Sequence, residues 1–210
     1  MTIEPLGDSA LLLRDLDHPA FELADALMRM AIPGLLEAVA SYDTVAVYVD
    51  PTHFKASSLE SVQASFGKTV SRLHEIPVCY ELGEDLEVVA SALGLLAEEV
   101  VRLHQSEIYR CFAVGFCPGF PYLGYLPSRL SGMPRRPAPR IRITPGSVAI
   151  TGRQTGIYPL ERPGGWALIG ETPLCLVAPD DDYFPIKAGD QVRFVSIAKT
   201  DYDSLKGQRL

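Results

Sequence analysis

Hydrophobic positions along this 210-residue chain change their spacing from the first part to the second. Between residues 17 and 31 apolar side chains recur every three to four positions, which predicts an amphipathic helix. A second helix of the same kind is predicted from Ser57 or Ser58 to Val70. Short apolar runs of strand type surround these helices, at residues 3–13, 35–40, 44–50 and 76–80. This mixture predicts an α+β N-terminal domain over residues 1–82.

A strand-rich region follows two further helical runs after residue 82. The apolar face of residues 85–93 predicts one helix, and the next run ends at His104. Beyond His104 the helical period is lost, and strands are predicted at residues 109–114, 140–143, 147–151, 156–159, 167–171, 175–177 and 191–196. Many short strands joined by Gly and Pro turns predict a mainly-β barrel, closed or nearly closed, over residues 83–198. Residues 199–210 are predicted to be a polar C-terminal tail, frayed or a short helix.

Charge and composition narrow the function classes. The formal net charge is −7, and a surface that is acidic overall repels polyanions, so we expect no nucleic acid as a partner. No apolar run approaches the roughly 20 residues of a membrane span, and no basic segment precedes an apolar run at the start, so we expect neither a membrane nor a signal peptide. The four cysteines lack metal-ligand spacing, which is typical of reduced thiols in a cytoplasmic protein. We infer no metal from the sequence.

Residues 116–173 are dense in Gly and Pro and carry polar and aromatic side chains between the turns. Turns with fixed dihedral angles can preorganise a small-molecule site, although a barrel also needs Gly and Pro at its corners for geometry alone. Arginines are concentrated near the middle of this region, at Arg129, Arg135, Arg136, Arg140 and Arg142. Such a cluster on an acidic protein suggests a local site for a carboxylate or phosphate, or a solvated loop.

Six short motifs occur in order in the second half of the chain, and together they are more specific than any one of them. They read FCPGFPYLG at 116–124, PR at 134–135, PR at 139–140, PGSV at 145–148, QTGIYP at 154–159 and PGGW followed by IG at 163–170. In this order they resemble the family of the 5-oxoprolinase B subunit, also named for allophanate hydrolase subunit 1 and for the sporulation kinase inhibitor KipI. The resemblance extends over nearly the whole chain. It implies an α+β N-terminal domain followed by a cyclophilin-like β-barrel.

The same resemblance implies a function with alternatives. Members of the family pair with the 5-oxoprolinase subunits C and A to open 5-oxoproline, a cyclic amide, to glutamate at the expense of ATP, so this chain would be a non-autonomous subunit of a hydrolase. One relative instead inhibits a sensor histidine kinase, and the fused halves resemble the carboxyltransferase region of a urea-degrading, biotin-dependent system. No Gly-rich lysine loop of the Walker type is present, so an ATP site would be unconventional or formed by the assembled complex. Glu171 departs from the family, which commonly carries Arg there.

Opening a lactam with ATP requires cationic groups and hydrogen-bond donors. We predict catalytic roles for Arg140 as an anion clamp, Gln154 as a donor to a carbonyl, and His104 as a proton-transfer group whose protonated form is favoured by the end of its helix. Substrate-binding roles are predicted for Tyr122, Arg153, Tyr158, Gly164, Gly165 and Trp166. The structural alternatives are surface ion pairs for the arginines, helix capping for His104 and core packing for the aromatic residues.

We predict no catalytic or metal-binding role for three other features. Cys117 has no charged sequence neighbour that would lower its pKa, so a reactive thiol is not expected. Ser147 lacks the Gly-x-Ser-x-Gly context of a nucleophile elbow. The acidic run at 180–182 is interpreted as a solvated turn, because consecutive carboxylates do not converge easily on a metal ion.

Overall fold

The computed structural model describes residues 1–59 and 70–210, and the chain divides into two compact units, Met1–Ser71 and Arg72–Leu210. The helix predicted from Ser57 or Ser58 to Val70 lies largely outside the described residues. No helix in the described part of the chain is long and apolar enough to span a membrane.

The first unit contains a four-stranded antiparallel sheet and one described helix of regular length. Its elements are β1 (Thr2–Pro5), β2 (Ala10–Arg14), α1 (Ala20–Arg29), β3 (Leu35–Ser41) and β4 (Thr44–Val49). The strand order is β1-β2-β4-β3. Val45, Val47 and Val49 alternate along β4 and are buried, as are Leu23 and Leu27 on the apolar face of α1. The buried positions therefore follow the period-2 pattern along β4 and the period-3.6 pattern along α1, as the sequence predicted for each element.

The second unit is built on a seven-stranded sheet with the order β12-β9-β10-β7-β6-β13-β5. The strands are β5 (Leu73–Val78), β6 (Ile108–Val114), β7 (Pro121–Gly124), β9 (Ser147–Thr151), β10 (Gln154–Ile157), β12 (Ala167–Glu171) and β13 (Gln191–Ser196). Two short strands, β8 (Arg140–Ile143) and β11 (Arg162–Gly164), pair with each other apart from this sheet. The helices are α2 (Leu86–Leu93), α3 (Ala97–Gln105) and α4 (Lys199–Leu205).

Backbone pairing brings the two ends of the seven-stranded sheet together. β5 runs parallel to β13, from Leu73 beside Gln191 to Val78 beside Ser196. Directly after β5, the Cys79 N–H donates to the Glu171 carbonyl at 2.9 Å, and the Glu171 N–H donates to the Cys79 carbonyl at 3.1 Å. Glu171 is the last residue of β12, at the other edge of the sheet. The sheet is therefore nearly closed into a barrel.

Three sequence-based boundaries differ from the structure. The strand predicted at 76–80 belongs to the second unit, because it pairs along β13, and the division falls at Ser71 instead of residue 82. The predicted strand at 140–143 is present, but it pairs with β11 and not within the barrel sheet. Residues 175–177 form only a single bridge, between Cys175 and Arg209, because the C-terminal segment lies beside them. That segment contains the short helix α4, so the short-helix alternative for residues 199–210 is confirmed and the frayed alternative is wrong.

Strand β9 is buried on both faces and separates two apolar clusters. Val148 and Ile150 belong to the main core. Ala149, whose side chain points to the opposite face, belongs to a second cluster that is rich in aromatic rings. This second cluster, which contains Tyr158 and Trp166, is the setting of the candidate site.

Close approach between the segment after β5 and strand β12 should make Gly83 intolerant of a side chain. A Cβ atom at Gly83 would lie 2.3 Å from the carbonyl carbon and oxygen of Ile169, which are backbone atoms and cannot rotate away. We expect Gly83→Ala to lower the free energy of unfolding by about 1–3 kcal/mol, measured by urea denaturation. Gly115→Ala is the matched control, because a methyl group added there would meet no other atom within 4 Å. Equal stability of the two variants would contradict this prediction.

Candidate functional site

Five aromatic rings from the glycine- and proline-rich motifs meet on the face of β9 that is opposite to the main core. Phe120 is central: its ring centroid lies 5.1 Å from Tyr158, 5.5 Å from Trp166 and 5.0 Å from Tyr122, all edge to face. Phe116 is more exposed and approaches Phe120 at 5.5 Å. Edge-to-face contacts fix the ring orientations. The rings therefore form a rigid wall.

A cavity of about 330 Å³ opens against this wall, and we call it the aromatic pocket. Besides the five rings, it is lined by Arg135, Arg136, Pro139, Pro163, Gly164 and Gly165. Its size is near the lower end of the range for small-molecule sites, about 300–1,000 Å³. Apolar walls with a few polar groups are typical of such sites.

Gly164 is required by the packing of the pocket. A Cβ atom at this position would lie 2.3 Å from the Tyr158 hydroxyl and 2.6 Å from Ile143 Cδ1. Because Gly164 has no side chain, the Tyr158 hydroxyl can occupy this space. Gly165 also contributes its backbone, because its carbonyl accepts a hydrogen bond from the Arg136 N–H at 2.7 Å.

The polar side chains that line the aromatic pocket are those of Tyr122, Tyr158, Arg135 and Arg136, and Arg136 is bound to a carboxylate outside the pocket. Burial raises the pKa of Tyr158, and a backbone hydrogen bond from Trp166 and the charge of Arg135 only partly oppose it. Burial also raises the pKa of Tyr122, again against the charge of Arg135. Both phenols therefore remain protonated near neutral pH and can donate hydrogen bonds. Together with Arg135, they suit a small, flat ligand that carries a negative charge.

The other arginines of this region are held by a buried carboxylate, and we call this group the Asp85 cluster. Asp85 Oδ1 accepts from Arg140 Nη2 at 2.8 Å and from Arg136 Nη1 at 3.2 Å, and Oδ2 accepts from the Leu168 N–H at 2.8 Å. Burial raises the pKa of Asp85, but the hydrogen bonds from Arg140 and Leu168 and the two arginine charges outweigh it and lower the pKa. Asp85 is therefore ionised.

The predicted site residues separate into two groups. Tyr122, Tyr158, Gly164, Gly165 and Trp166 come together in the aromatic pocket. The proposed anion clamp at Arg140 is instead engaged by Asp85 and Glu84, because these acidic residues approach it from a distant part of the chain. Arg153 lies over the Tyr125 ring at 4.3 Å, and Gln154 begins β10 opposite Gly124, so neither lines the pocket.

The sequence does not single out the arginine that the pocket uses. Arg135 is one of five clustered arginines, and nothing in the sequence distinguishes it from Arg140. Phe116 and Phe120 belong to one of the family motifs, but sequence reasoning gives them no role. The density of aromatic residues in that motif, which also contains Tyr122, is the signal that could have found them.

His104 does not meet the requirements of a proton-transfer group. It is fully buried and lies outside the aromatic pocket, with its ring stacked on Phe194 at a centroid distance of 4.4 Å. Thr155 donates its hydroxyl proton to the Ala149 carbonyl, so it accepts from His104 Nε2 at 2.9 Å, and Nδ1 accepts from the Tyr80 hydroxyl at 2.7 Å. Burial lowers the pKa of His104 to about 3. The expectation of a protonated imidazole was wrong, because desolvation exceeds the effect of the helix end.

Two further residues, Glu171 and Cys117, have structural roles and no sign of reactivity. Glu171 accepts a hydrogen bond from the Tyr202 hydroxyl, which ties α4 to the end of β12. The acidic residue at this position therefore has a partner within the chain. Cys117 is buried, and burial raises its pKa against the charge of Arg162, so the thiol is not activated.

Comparison with known proteins places the chain in a family. Residues 1–185 match the family described as carboxyltransferase domain, subdomain C and D. The 5-oxoprolinase B subunit of Bacillus subtilis is 37% identical in an alignment 231 positions long, which covers 97% of this chain and 96% of the relative. The chain belongs to the 5-oxoprolinase B-subunit family. A family member with the same name from Escherichia coli O157:H7 is 40% identical, and the alignment covers 90% of this chain and 93% of that relative.

Solved structures of similar chains extend this comparison. The protein TTHA0988 is 40% identical, with a TM-score of 0.80, over 90% of this chain. The match spans only 40% of that longer chain. The Kluyveromyces lactis urea amidolyase matches 97% of this chain with a TM-score of 0.73 at 18% identity, and the match covers 15% of that protein. This last similarity shows a shared fold.

Burial of neutral His104 predicts a specific dependence of stability on pH. Below its ordinary pKa of 6.5 the unfolded chain takes up a proton that the folded chain refuses until about pH 3. The free energy of unfolding should therefore fall by about 1.4 kcal/mol per pH unit as the pH drops below 6. We expect His104→Gln to remove this contribution between pH 6 and 5, measured by urea denaturation. His53→Gln, at an exposed histidine, should retain it, and an unchanged slope in His104→Gln would contradict the assignment.

Proposed function

We propose that this chain is the B subunit of a heteromeric, ATP-dependent 5-oxoprolinase and supplies one wall of a composite site. Alignment with relatives of that name over 97% and 90% of the chain carries the proposal. The aromatic pocket gives it a physical basis, because the motif segments that carry the family resemblance build this pocket. We further propose that the barrel is cyclophilin-like and that the protein works in the cytoplasm, where its four cysteines would remain reduced.

The substrate proposed for this enzyme matches the pocket in size and charge. 5-Oxoproline is a five-membered lactam with one carboxylate, which is small enough for a cavity of about 330 Å³. In our proposal Arg135 pairs with the carboxylate, and the phenol hydroxyls of Tyr122 and Tyr158 donate toward the lactam oxygen. The aromatic rings exclude water from the ring of the substrate, which strengthens both polar contacts.

ATP would transfer its γ-phosphoryl group to the lactam oxygen, which makes the lactam carbon a better electrophile. Water would then add to that carbon, the carbon–nitrogen bond would break to open the ring, and a second water would hydrolyse the resulting acyl phosphate to the carboxylate of glutamate and free phosphate. In this proposal the pocket orients the lactam and the assembled complex with subunits C and A binds the nucleotide. A division of this kind accounts for a chain that has an acceptor site but no Gly-rich lysine loop.

Two alternative functions are less well supported. The carboxyltransferase half of a urea-degrading system agrees with the family description, but the similarity to urea amidolyase, at 18% identity, supports the fold alone. Inhibition of a sensor histidine kinase remains a prediction from the resemblance, and no contact in the described residues favours it.

Reconstitution tests the proposed function directly. The chain is combined with the purified remaining subunits, and ATP-dependent release of glutamate from 5-oxoproline is measured with and without it. Our proposal requires that omission abolish turnover. Unchanged turnover without the chain would refute it, and turnover only with urea and a biotinylated partner would support the carboxyltransferase alternative.

Arg135 should determine substrate affinity. Hydrogen bonds to charged groups contribute about 1.5–3 kcal/mol, so we expect Arg135→Ala to raise the KM for 5-oxoproline roughly 10- to 100-fold. Arg142→Ala is the matched control, since Arg142 belongs to the same arginine cluster but pairs with Glu161 at 3.0 Å and does not line the pocket. Its KM should stay close to that of the unsubstituted enzyme. Equal effects of the two substitutions would rule out a specific role for Arg135.

A further inference from the structure

Asp85 does not line the aromatic pocket, but it binds Arg136, which does, and Leu168, which lies two residues after Trp166. We propose that Asp85 is a positioning residue, whose carboxylate holds the segment from Arg135 to Arg140 against β12 so that Arg135 faces the pocket. This inference rests on the proposed function for its consequence in catalysis. Its structural part can be tested separately.

One buried carboxylate joins three segments that are far apart in the sequence. Asp85 is only 5% exposed and directly precedes α2. Its Oδ1 atom binds the guanidinium groups of Arg136 and Arg140, 51 and 55 residues away, and its Oδ2 atom binds the Leu168 N–H, 83 residues away. Hydrogen bonds to a buried charge are stronger than those between neutral groups. The carboxylate therefore restrains all three segments at once.

Each residue that Asp85 binds either lines the pocket or lies next to a lining residue in the sheet pairing or in the chain. Arg136 lines the pocket itself, and its N–H donates to the Gly165 carbonyl at 2.7 Å. Arg140 lies opposite Gly164 in the pairing of β8 with β11. Leu168 is two residues after Trp166. Removal of the carboxylate would thus release restraints on the arginine wall and on the Trp166 wall together.

Electrostatics in the Asp85 cluster makes the carboxylate hard to replace. Two guanidinium groups share one buried acidic group, since Glu84, the other partner of Arg140, has a side chain that is 64% exposed and so contributes little. The Nη1 atom of Arg140 is buried and has no hydrogen-bond partner in the described part of the chain. An amide in place of the carboxylate would leave two neighbouring cations without a full counter-charge. We expect Arg136, the more exposed of the two, to move away.

Backbone pairing should keep the fold intact when the carboxylate is removed. The Asp85 N–H donates to the Leu168 carbonyl at 2.8 Å, and this bond does not involve the side chain. The start of α2 therefore stays attached to β12 in Asp85→Asn. What is lost is the counter-charge for the arginines and one of the two acceptor oxygens, so the amide cannot keep both the arginine bonds and the side-chain bond from the Leu168 N–H.

The chain contains a matched control for the loss of a buried aspartate. Asp190 is also 5% exposed and also has three partners, namely the N–H groups of Arg72 and Lys187 and the ring of His74. None of these partners lines the aromatic pocket. Asp190→Asn should therefore reproduce the general cost of removing a buried carboxylate, without the effect on the pocket.

Trp166 provides a readout that needs neither substrate nor partner. It is the only tryptophan of the chain and lines the pocket, so the tryptophan fluorescence of the full chain reports on this wall alone. We expect acrylamide to quench Trp166 at least twofold more effectively in Asp85→Asn than in the unsubstituted chain. Asp190→Asn should show unchanged quenching. If both variants quench alike, Asp85 has only a general structural role and the inference is overturned.

The assembled enzyme tests the consequence for substrate binding. We expect Asp85→Asn to raise the KM for 5-oxoproline about tenfold, with a much smaller change in kcat, and Asp190→Asn to leave KM nearly unchanged. A lower KM in Asp85→Asn would overturn the inference, because it would mean that Asp85 competes with the substrate for the arginines. Should the unsubstituted complex fail to act on 5-oxoproline, the proposed function would fail, while the quenching experiment would still decide the role of Asp85.

A milder variant covers the case in which Asp85→Asn does not fold. Arg136→Met removes one partner of the carboxylate, at a side chain that is partly exposed, and leaves Asp85 paired with Arg140 and Leu168. It should change quenching and KM in the same directions as Asp85→Asn, by smaller factors. Unaltered quenching and KM in Arg136→Met would count against the inference.

Discussion

The second unit depends on the pairing that joins the two ends of its sheet. Two backbone hydrogen bonds between Cys79 and Glu171 connect the residue after β5 to the last residue of β12, and β5 itself is held along β13. Because the chain leaves this junction directly for α2, Asp85 comes to lie beside β12 and can bind Leu168. The position of the Asp85 cluster is thus a consequence of how the barrel closes. Tyr202 supports the same junction from α4 through Glu171.

Strand β9 supports both the main core of the barrel and the aromatic pocket on the opposite face. Its alternate side chains pack into the main core on one face and into the aromatic cluster on the other, so the wall of the pocket is continuous with a buried strand. Rings that pack edge to face on such a support lose little further freedom when a ligand binds. The segment from Arg135 to Pro139 completes the pocket, and it is restrained by the guanidinium contacts of Asp85 and by Gly165.

This arrangement is consistent with a subunit that orients a substrate while other subunits supply the remaining chemistry. The pocket offers apolar walls, two neutral phenols and the side chains of Arg135 and Arg136, whereas the buried imidazole of His104 and the buried thiol of Cys117 are kept neutral. Neither can transfer a proton or attack a substrate in this state. One relative, TTHA0988, is a longer chain, and the match to this chain covers 40% of it.

The sequence by itself determined most of the local elements and part of the composition of the site. Alternating valines predicted β4, three-to-four spacing predicted α1, and the motif segments predicted that Tyr122, Tyr158 and Trp166 belong together, because these signals depend on neighbours along the chain. Only the tertiary structure decided which arginine faces the pocket, that His104 is neutral, and that β5 belongs to the barrel. Each of these outcomes depends on a partner or on burial supplied by distant residues: Asp85 lies 55 residues before Arg140, Thr155 lies 51 residues after His104, and β13 pairs with a strand more than 100 residues earlier. Contacts over such separations leave no periodic signal in a single sequence.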